Sequence, residues 1–258
     1  MHIKSILIIL LILIQLVFAE GGSKEQAKGT AVVADSSAFS VAYWNPGMLA
    51  FKRDLSMSLN AEKHHLGRPD GSFGIENGVG NRMGIGGAVF FIDDFILYYA
   101  GLGYRFSKAD GVGISLSVSY DMIEEYQSPV ALDLGWFRFW SEKWQSGLQI
   151  RNMGSDSRAK SVEAGLTHRN LLLSKPASVS LSIVSSQISD TLSVFDKDGY
   201  VLKGKFGFEW RAVPNGDLRF GINGKKPVVG WGYDFNVRDK VISVDYASPL
   251  SVSLRVRL

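Results

Sequence analysis

Leu202 to Trp210 reads "LKGKFGFEW". Leu202, Phe206, Phe208 and Trp210 fall on one side of a two-residue period; Lys203, Lys205, Gly207 and Glu209 fall on the other. Strict alternation of this kind is a β-strand with one apolar and one polar face. The same pattern runs through "LSMSLNAE" from Leu55, "VGISLSVSY" from Val112, "ASVSLSIV" from Ala177, "VGWGYDFN" from Val229 and the closing "SVSLRVRL". From Leu55 onward no stretch carries a 3.6-residue period, so no helical layer is available to cover a sheet.

The fold turns on which face looks where. A soluble sandwich packs its apolar faces together, whereas a membrane barrel turns them to lipid and lines its lumen with the polar ones. The polar positions here collect Gly, Ser and charges of both signs, among them Lys203, Lys205, Glu209, Arg211, Arg219, Asp234, Asp245, Arg255 and Arg257. Aromatic residues gather in "WFRFW" (Trp136 to Trp140), at Trp144 and Trp210, and at Tyr98, Tyr99 and Tyr104, as interfacial girdles do. The chain also ends inside a strand, which suits a closed sheet without edges. The expectation is an all-β, transmembrane antiparallel β-barrel of about 14 strands with a short N-terminal helical plug, a soluble β-sandwich being the alternative.

Tentative strand starts fall near Leu55, Ser72, Met83, Phe95, Val112, Val130, Trp144, Val162, Ala177, Leu202, Leu218, Val228, Val241 and Ser251. A count of twelve would follow if the second strand were too short or Gly84, Gly86 and Gly87 held a bulge. Asp70-Gly71, Asn77-Gly78, Asp110-Gly111, Asp198-Gly199, Asn215-Gly216 and Asn223-Gly224 are expected hairpin turns.

At the other end, His2 and Lys4 precede an apolar run from Ile6 to Phe18, followed by Ala19 and Glu20. That is the form of a secretory signal peptide cut near Ala19. The expected organisation is a signal at 1–19, a plug segment at 20–54 and the barrel at 55–258. The chain has 258 residues, no cysteine and a formal net charge of +3. Neither a disulfide framework nor a polybasic nucleic-acid footprint follows from that composition.

One segment does not alternate: "AFSVAYWNPGMLAF", Ala38 to Phe51. Asp35 is placed to cap a short helix over Ser36 to Trp44, and Pro46 then starts another turn over Gly47 to Ala50. A kinked apolar piece ahead of the first strand suits a lumen plug.

"SVAYWNPGMLA" resembles the N-terminal hatch motif of outer-membrane barrels that include the FadL-type transporters and the PorV/PorQ family of type IX secretion. "ALDLGW" from Ala131, "LQIRNMGSD" from Leu148 and "VDYA" from Val244 resemble the PorV/PorQ pattern. The resemblance implies an outer-membrane barrel of fourteen strands with a hatch turn held by Asn45 and Pro46 over Leu49 and Ala50. Gly47 stands where the motif has alanine, which is expected to loosen the kink, and the chain ends in Leu258 instead of an aromatic residue.

For function, the resemblance implies passive passage of small hydrophobic or amphipathic molecules, gated by the hatch residues Asn45, Pro46, Gly47, Leu49 and Ala50. The alternatives are a scaffold or shuttle subunit of type IX secretion, with secretion-machinery proteins as partners, and a structural barrel without transport. Expected lumen-lining residues are Arg151, Lys205, Glu209, Arg219, Asp234, Asp245 and Arg255, with Arg151, Arg219 and Arg255 along a selective path and Arg219 neutralised across strands. Outer-membrane lipid is an expected partner; nucleic acid is not. No catalytic constellation, metal site or cofactor is expected: adjacent His64 and His65 belong to a polar turn, His168 has no partner selected by spacing, and "NGVGNRMGIGG" lacks the helix a phosphate loop needs.

Overall fold

The computed structural model describes residues 24–25, 28, 30–38, 41–63, 69–92, 94–155, 158–170, 176–187, 200–224, 226–237, 240–248 and 251–258. The expected signal segment 1–19, the His64 and His65 turn, and the Asp198-Gly199 turn lie outside the described residues.

A four-residue helix α1 (Val41–Trp44) and a 3-10 helix η1 (Pro46–Phe51) precede the strands. These follow in order: β1 (Ser56–Lys63), β2 (Pro69–Val79), β3 (Met83–Ile92), β4 (Phe95–Arg105), β5 (Asp110–Asp121), β6 (Tyr126–Gln127), β7 (Ala131–Phe139) and β8 (Trp144–Met153). Then come β9 (Ser161–Arg169), β10 (Ala177–Gln187), β11 (Tyr200–Val213), β12 (Gly216–Asn223), β13 (Lys226–Val237), β14 (Lys240–Ala247) and β15 (Ser251–Arg257). β6 is a two-residue spur paired to the end of β5. The other fourteen form a closed antiparallel barrel in which each strand pairs with its neighbours in sequence and β15 pairs with β1.

The molecule is inside out. Leu59, Ile85, Leu116, Leu181, Leu218 and Trp231 stand exposed on the outer face, while Ser58, Asn60, Ser72, Ser115, Asp133 and Asp245 are buried on the inner one. This polarity excludes the sandwich, since apolar faces turned outward cannot form its core.

Met83, Phe95, Trp144, Ala177 and Ser251 open their strands where expected, and the largest displacement is at β2, which starts at Pro69 instead of Ser72. β2 has eleven residues, and its register with β3 runs unbroken, so neither reason for twelve strands holds. The register shifts instead between Leu132 and Leu134 and between Arg211 and Val213.

Several expected turns are corrected. Asn215 and Gly224 take positive φ at hairpin turns, at 64° and 61°. Asp70-Gly71 and Asn77-Gly78 instead lie inside β2, and Asp110-Gly111 opens β5. Three girdle assignments also fail by parity. Trp140 and Trp144 do face outward, but Phe137, Phe139 and Tyr99 point into the barrel, where Phe137 and Phe139 meet Phe51 at 5.5 Å and 5.0 Å between ring centroids. An aromatic pair in successive positions must split between the two faces of a strand.

Candidate functional site

The inner space is occupied by the N-terminal segment itself. Val41, Ala42, Met48, Leu49 and Ala50 are each 1 % exposed or less, and the first four form a core with Val32, Ala38 and Trp44 of the segment and Phe137 of the wall. The expected helix over Ser36 to Trp44 is shorter than its capping pattern implied. Asp35 does accept from the Ser37 N–H at 2.9 Å, but this closes a turn, and α1 begins only at Val41, whose N–H donates to the Glu76 carboxylate on β2.

Asn45 holds the kink. Its side-chain oxygen accepts from the Gly47 N–H at 3.0 Å, while its Nδ2 donates to the Val33 carbonyl at 2.8 Å and to the Trp136 carbonyl of β7 at 3.0 Å. One buried amide thereby ends α1, starts η1 and ties both to the wall. Pro46 opens η1, where its missing N–H costs no hydrogen bond.

The wall receives this turn on a row of glycines. Gly78, Gly84, Gly103, Gly113 and Gly135 are directly registered across β2, β3, β4, β5 and β7. A Cβ on Gly84 would lie 1.9 Å from the Leu49 carbonyl oxygen, on Gly103 2.4 Å from the Ala50 nitrogen, and on Gly113 2.1 Å from the Pro46 carbonyl oxygen. Gly47 completes the fit from the other side: a Cβ there would sit 3.0 Å from the Gly135 backbone. The glycine at this motif position lets the turn approach the wall, where loosening was expected. The row was missed at the level of sequence, although glycine recurring at alternate polar-face positions in "GIGG", "GLG" and "GVG" was its available signal.

Around the other half of the barrel the inner face is charged. Arg219 pairs with Glu209 at 2.7 Å, Asp217 at 3.3 Å and Asp245 at 2.5 Å, so the expected cross-strand neutralisation is present and involves three carboxylates. Asp234 faces Arg211 at 3.6 Å and accepts from Ser243 at 2.6 Å. Lys205 pairs with Glu163 at 2.8 Å, a partner on β9 that the sequence did not single out. Arg151 stacks over Tyr43 at 4.4 Å and lies 5.7 Å from the Trp44 ring. His168 points outward against Trp144, with ring centroids 4.4 Å apart.

The plug segment carries charges of its own into this half. Lys24 lies 3.6 Å from Glu209, and Lys28 pairs with Asp35, which also bonds Arg169 of β9 at 3.0 Å. Burial alone would raise the Asp35 carboxyl, but Lys28 and then Arg169 outweigh it and hold the group well below the usual carboxylate range. Lys24 moves down, because its burial outweighs the attraction of Glu209.

Among the described residues, two cavities lie beside the segment. One of about 300 Å³ is bordered by Lys24, Arg169, Glu209, Arg211 and Arg255; the other, of about 260 Å³, by Lys52, Arg53, Arg255 and Arg257. Of the three arginines expected along a path, Arg255 borders both cavities, while Arg219 is enclosed by carboxylates and Arg151 by rings. A separate aromatic cluster, Phe90 and Tyr99 with Ala88, packs against Tyr43 of α1.

The fold has counterparts among solved structures. The chain shares its fold with outer-membrane hydrophobic channels. The CymD monoaromatic hydrocarbon channel aligns with a TM-score of 0.60 at 13% identity, covering 92% of this chain and 95% of that one. The Pseudomonas putida toluene transporter TodX gives 0.58 at 10% identity, over 93% and 97% of the two chains. A Pseudomonas aeruginosa FadL homologue gives 0.54 at 10% identity, again over 93% and 97%. No protein-family model and no curated protein matches the sequence.

Proposed function

We propose that this protein is an outer-membrane channel for small hydrophobic or amphipathic molecules, with residues 20–54 acting as its hatch. One observation carries the reading: among the described residues, no backbone-to-backbone hydrogen bond joins the segment 24–54 to the wall. The segment is held by side-chain bonds, ion pairs and close packing, so it can leave the lumen without breaking the sheet. The barrel's own ladder is complete without it. The fold likeness to channels for monoaromatic hydrocarbons and toluene supports the substrate class, as does the aromatic cluster of Tyr43, Phe90 and Tyr99.

In this reading Asn45, Pro46, Gly47, Leu49 and Ala50 form the seated edge of the hatch, with the glycine row as its ledge. Arg151 steadies α1 by stacking on its rings, and the network of Glu209, Arg219 and Asp245 keeps the opposite wall rigid. The signal segment at 1–19 directs the chain to the outer membrane and is removed near Ala19, which N-terminal sequencing of the mature protein checks.

A lock tests the gate. A Cβ at Gly101 would lie 3.1 Å from the Ala42 Cβ, a few tenths of an ångström short of the usual disulfide spacing of about 3.5–4.5 Å and so within reach of a small outward shift of α1, and the chain has no cysteine to interfere. The variant carrying Ala42→Cys and Gly101→Cys, reconstituted in vesicles, should take up toluene when reduced and lose most uptake when oxidised. Equal uptake in both states, with the crosslink verified, would remove the gating role. Stoichiometric co-purification of export proteins from native membrane would instead favour the type IX secretion reading.

A further inference from the structure

The cavity of about 260 Å³ lies between the plug segment and the wall, and its lining is unbalanced in charge. Ser36, Ser37, Phe51, Lys52 and Arg53 come from the segment; Ser56, Arg255 and Arg257 come from β1 and β15. Against four cations the lining holds one carboxylate, Asp54. Lys52 is matched by Glu76 at 2.8 Å, but among the described residues neither Arg53 nor Arg257 makes an ion pair.

The excess continues along the same mouth. Arg53 and Arg105 both donate to one acceptor, the Asn81 carbonyl, at 3.1 Å and 2.5 Å, and Arg82 lies within electrostatic range of Arg105. Like charges converging on a single carbonyl repel one another unless an anion joins them. Arg255 and Arg257 occupy alternate positions of β15 and so project to the same inner side, opposite Ser58 and Ser56 of β1. That side faces away from lipid, which excludes a lipid headgroup as the occupant.

We propose that this cavity binds a small multivalent anion, a phosphate- or carboxylate-bearing molecule, which bridges the hatch to the wall and holds the channel shut. The guanidinium groups of Arg53 and Arg257 supply charge-assisted donors from the two sides of the gap, the serine hydroxyls of Ser36 and Ser56 supply neutral ones, and Phe51 offers an apolar edge. Because Arg53 lies two residues beyond the end of η1 and Arg257 belongs to the wall, an anion held by both opposes withdrawal of the segment. The holding role rests on the hatch reading above; anion binding does not.

Inorganic pyrophosphate serves as the probe, titrated by calorimetry against the full-length mature protein in neutral detergent, at ionic strength matched with sodium chloride. The wild type should bind, and the double variant Arg53→Gln/Arg257→Gln should bind about tenfold more weakly or worse. Lys143→Gln, a cation exposed at the distant β7–β8 turn, should bind as the wild type does. No wild-type binding beyond the chloride control, or equal binding by a double variant with native circular dichroism, overturns the site. Holding is read separately from the reaction of a thiol reagent with Val41→Cys, a fully buried hatch position in a chain otherwise free of cysteine. Pyrophosphate should slow that reaction severalfold in the wild-type background and not in the double variant. Binding with an unchanged labelling rate overturns the holding role and leaves the channel reading untouched.

Discussion

Asn45 and Gly135 meet so closely that the smallest side chain would not fit between them: a Cβ on Gly135 would stand 2.2 Å from the Asn45 side-chain oxygen. The turn at Asn45 and Pro46 and the barrel wall are therefore shaped for each other. Overpacking a seated contact of this kind costs about 1–3 kcal/mol. Gly135→Ala should unseat the turn, lowering the thermal midpoint and speeding thiol labelling of Val41→Cys. Gly204→Ala, at a strand glycine with open space around it, should change neither. Equal behaviour of the two variants would show that the glycine row does not hold the hatch.

Asn45 itself can be divided by chemistry. Asn45→Ala removes one acceptor and two donated bonds and should destabilise the hatch by about 2–3 kcal/mol. Asn45→Asp keeps the oxygen that caps Gly47 but turns the donor to Val33 and Trp136 into a second acceptor facing two carbonyls. It should be no better than Ala in a denaturation midpoint. Rescue by Asp would mean that capping alone matters.

Asp35 makes the seating of the N-terminal segment acid-resistant to a definite point. Its folded pKa is depressed, so its stabilising contribution is fully present above the unfolded value of about 3.9 and is lost as pH falls through the lower folded value. The difference in thermal midpoint between wild type and Asp35→Asn should be constant from about pH 8 to pH 5 and shrink only below about pH 4. Near neutral pH the substitution leaves Lys28 and Arg169 without their carboxylate and should cost about 3 kcal/mol. A difference that closes already at pH 6 would contradict this assignment.

Arg219 is surrounded by Glu209, Asp217 and Asp245, and its removal should leave three carboxylates facing one another. Arg219→Met should destabilise the barrel by about 3–5 kcal/mol, and adding Asp245→Asn should recover part of the loss. Strict additivity of the two changes in a denaturant series would show that the network is not coupled.

Much of the barrel could be read without a structure because a strand's two faces are set by parity, a property of adjacent residues. Leu202 to Trp210 announces a polar and an apolar side by itself, and the mixed charges on the polar side favoured a lumen over the solvent face of a sandwich. Even the Glu209 and Arg219 pair was legible, since hairpin neighbours are close in sequence. Tertiary structure decided the rest. Glu163 reaches Lys205 across β10, Arg169 reaches Asp35 over 134 positions, and five separate glycines form one ledge. Such relations depend on the register of strands remote from one another and on where the hatch comes to rest inside them. Neither is written in the period of any one strand, so the division into a polar and an apolar face belongs to the sequence, while which face closes inward and the partners met there belong to the closed barrel.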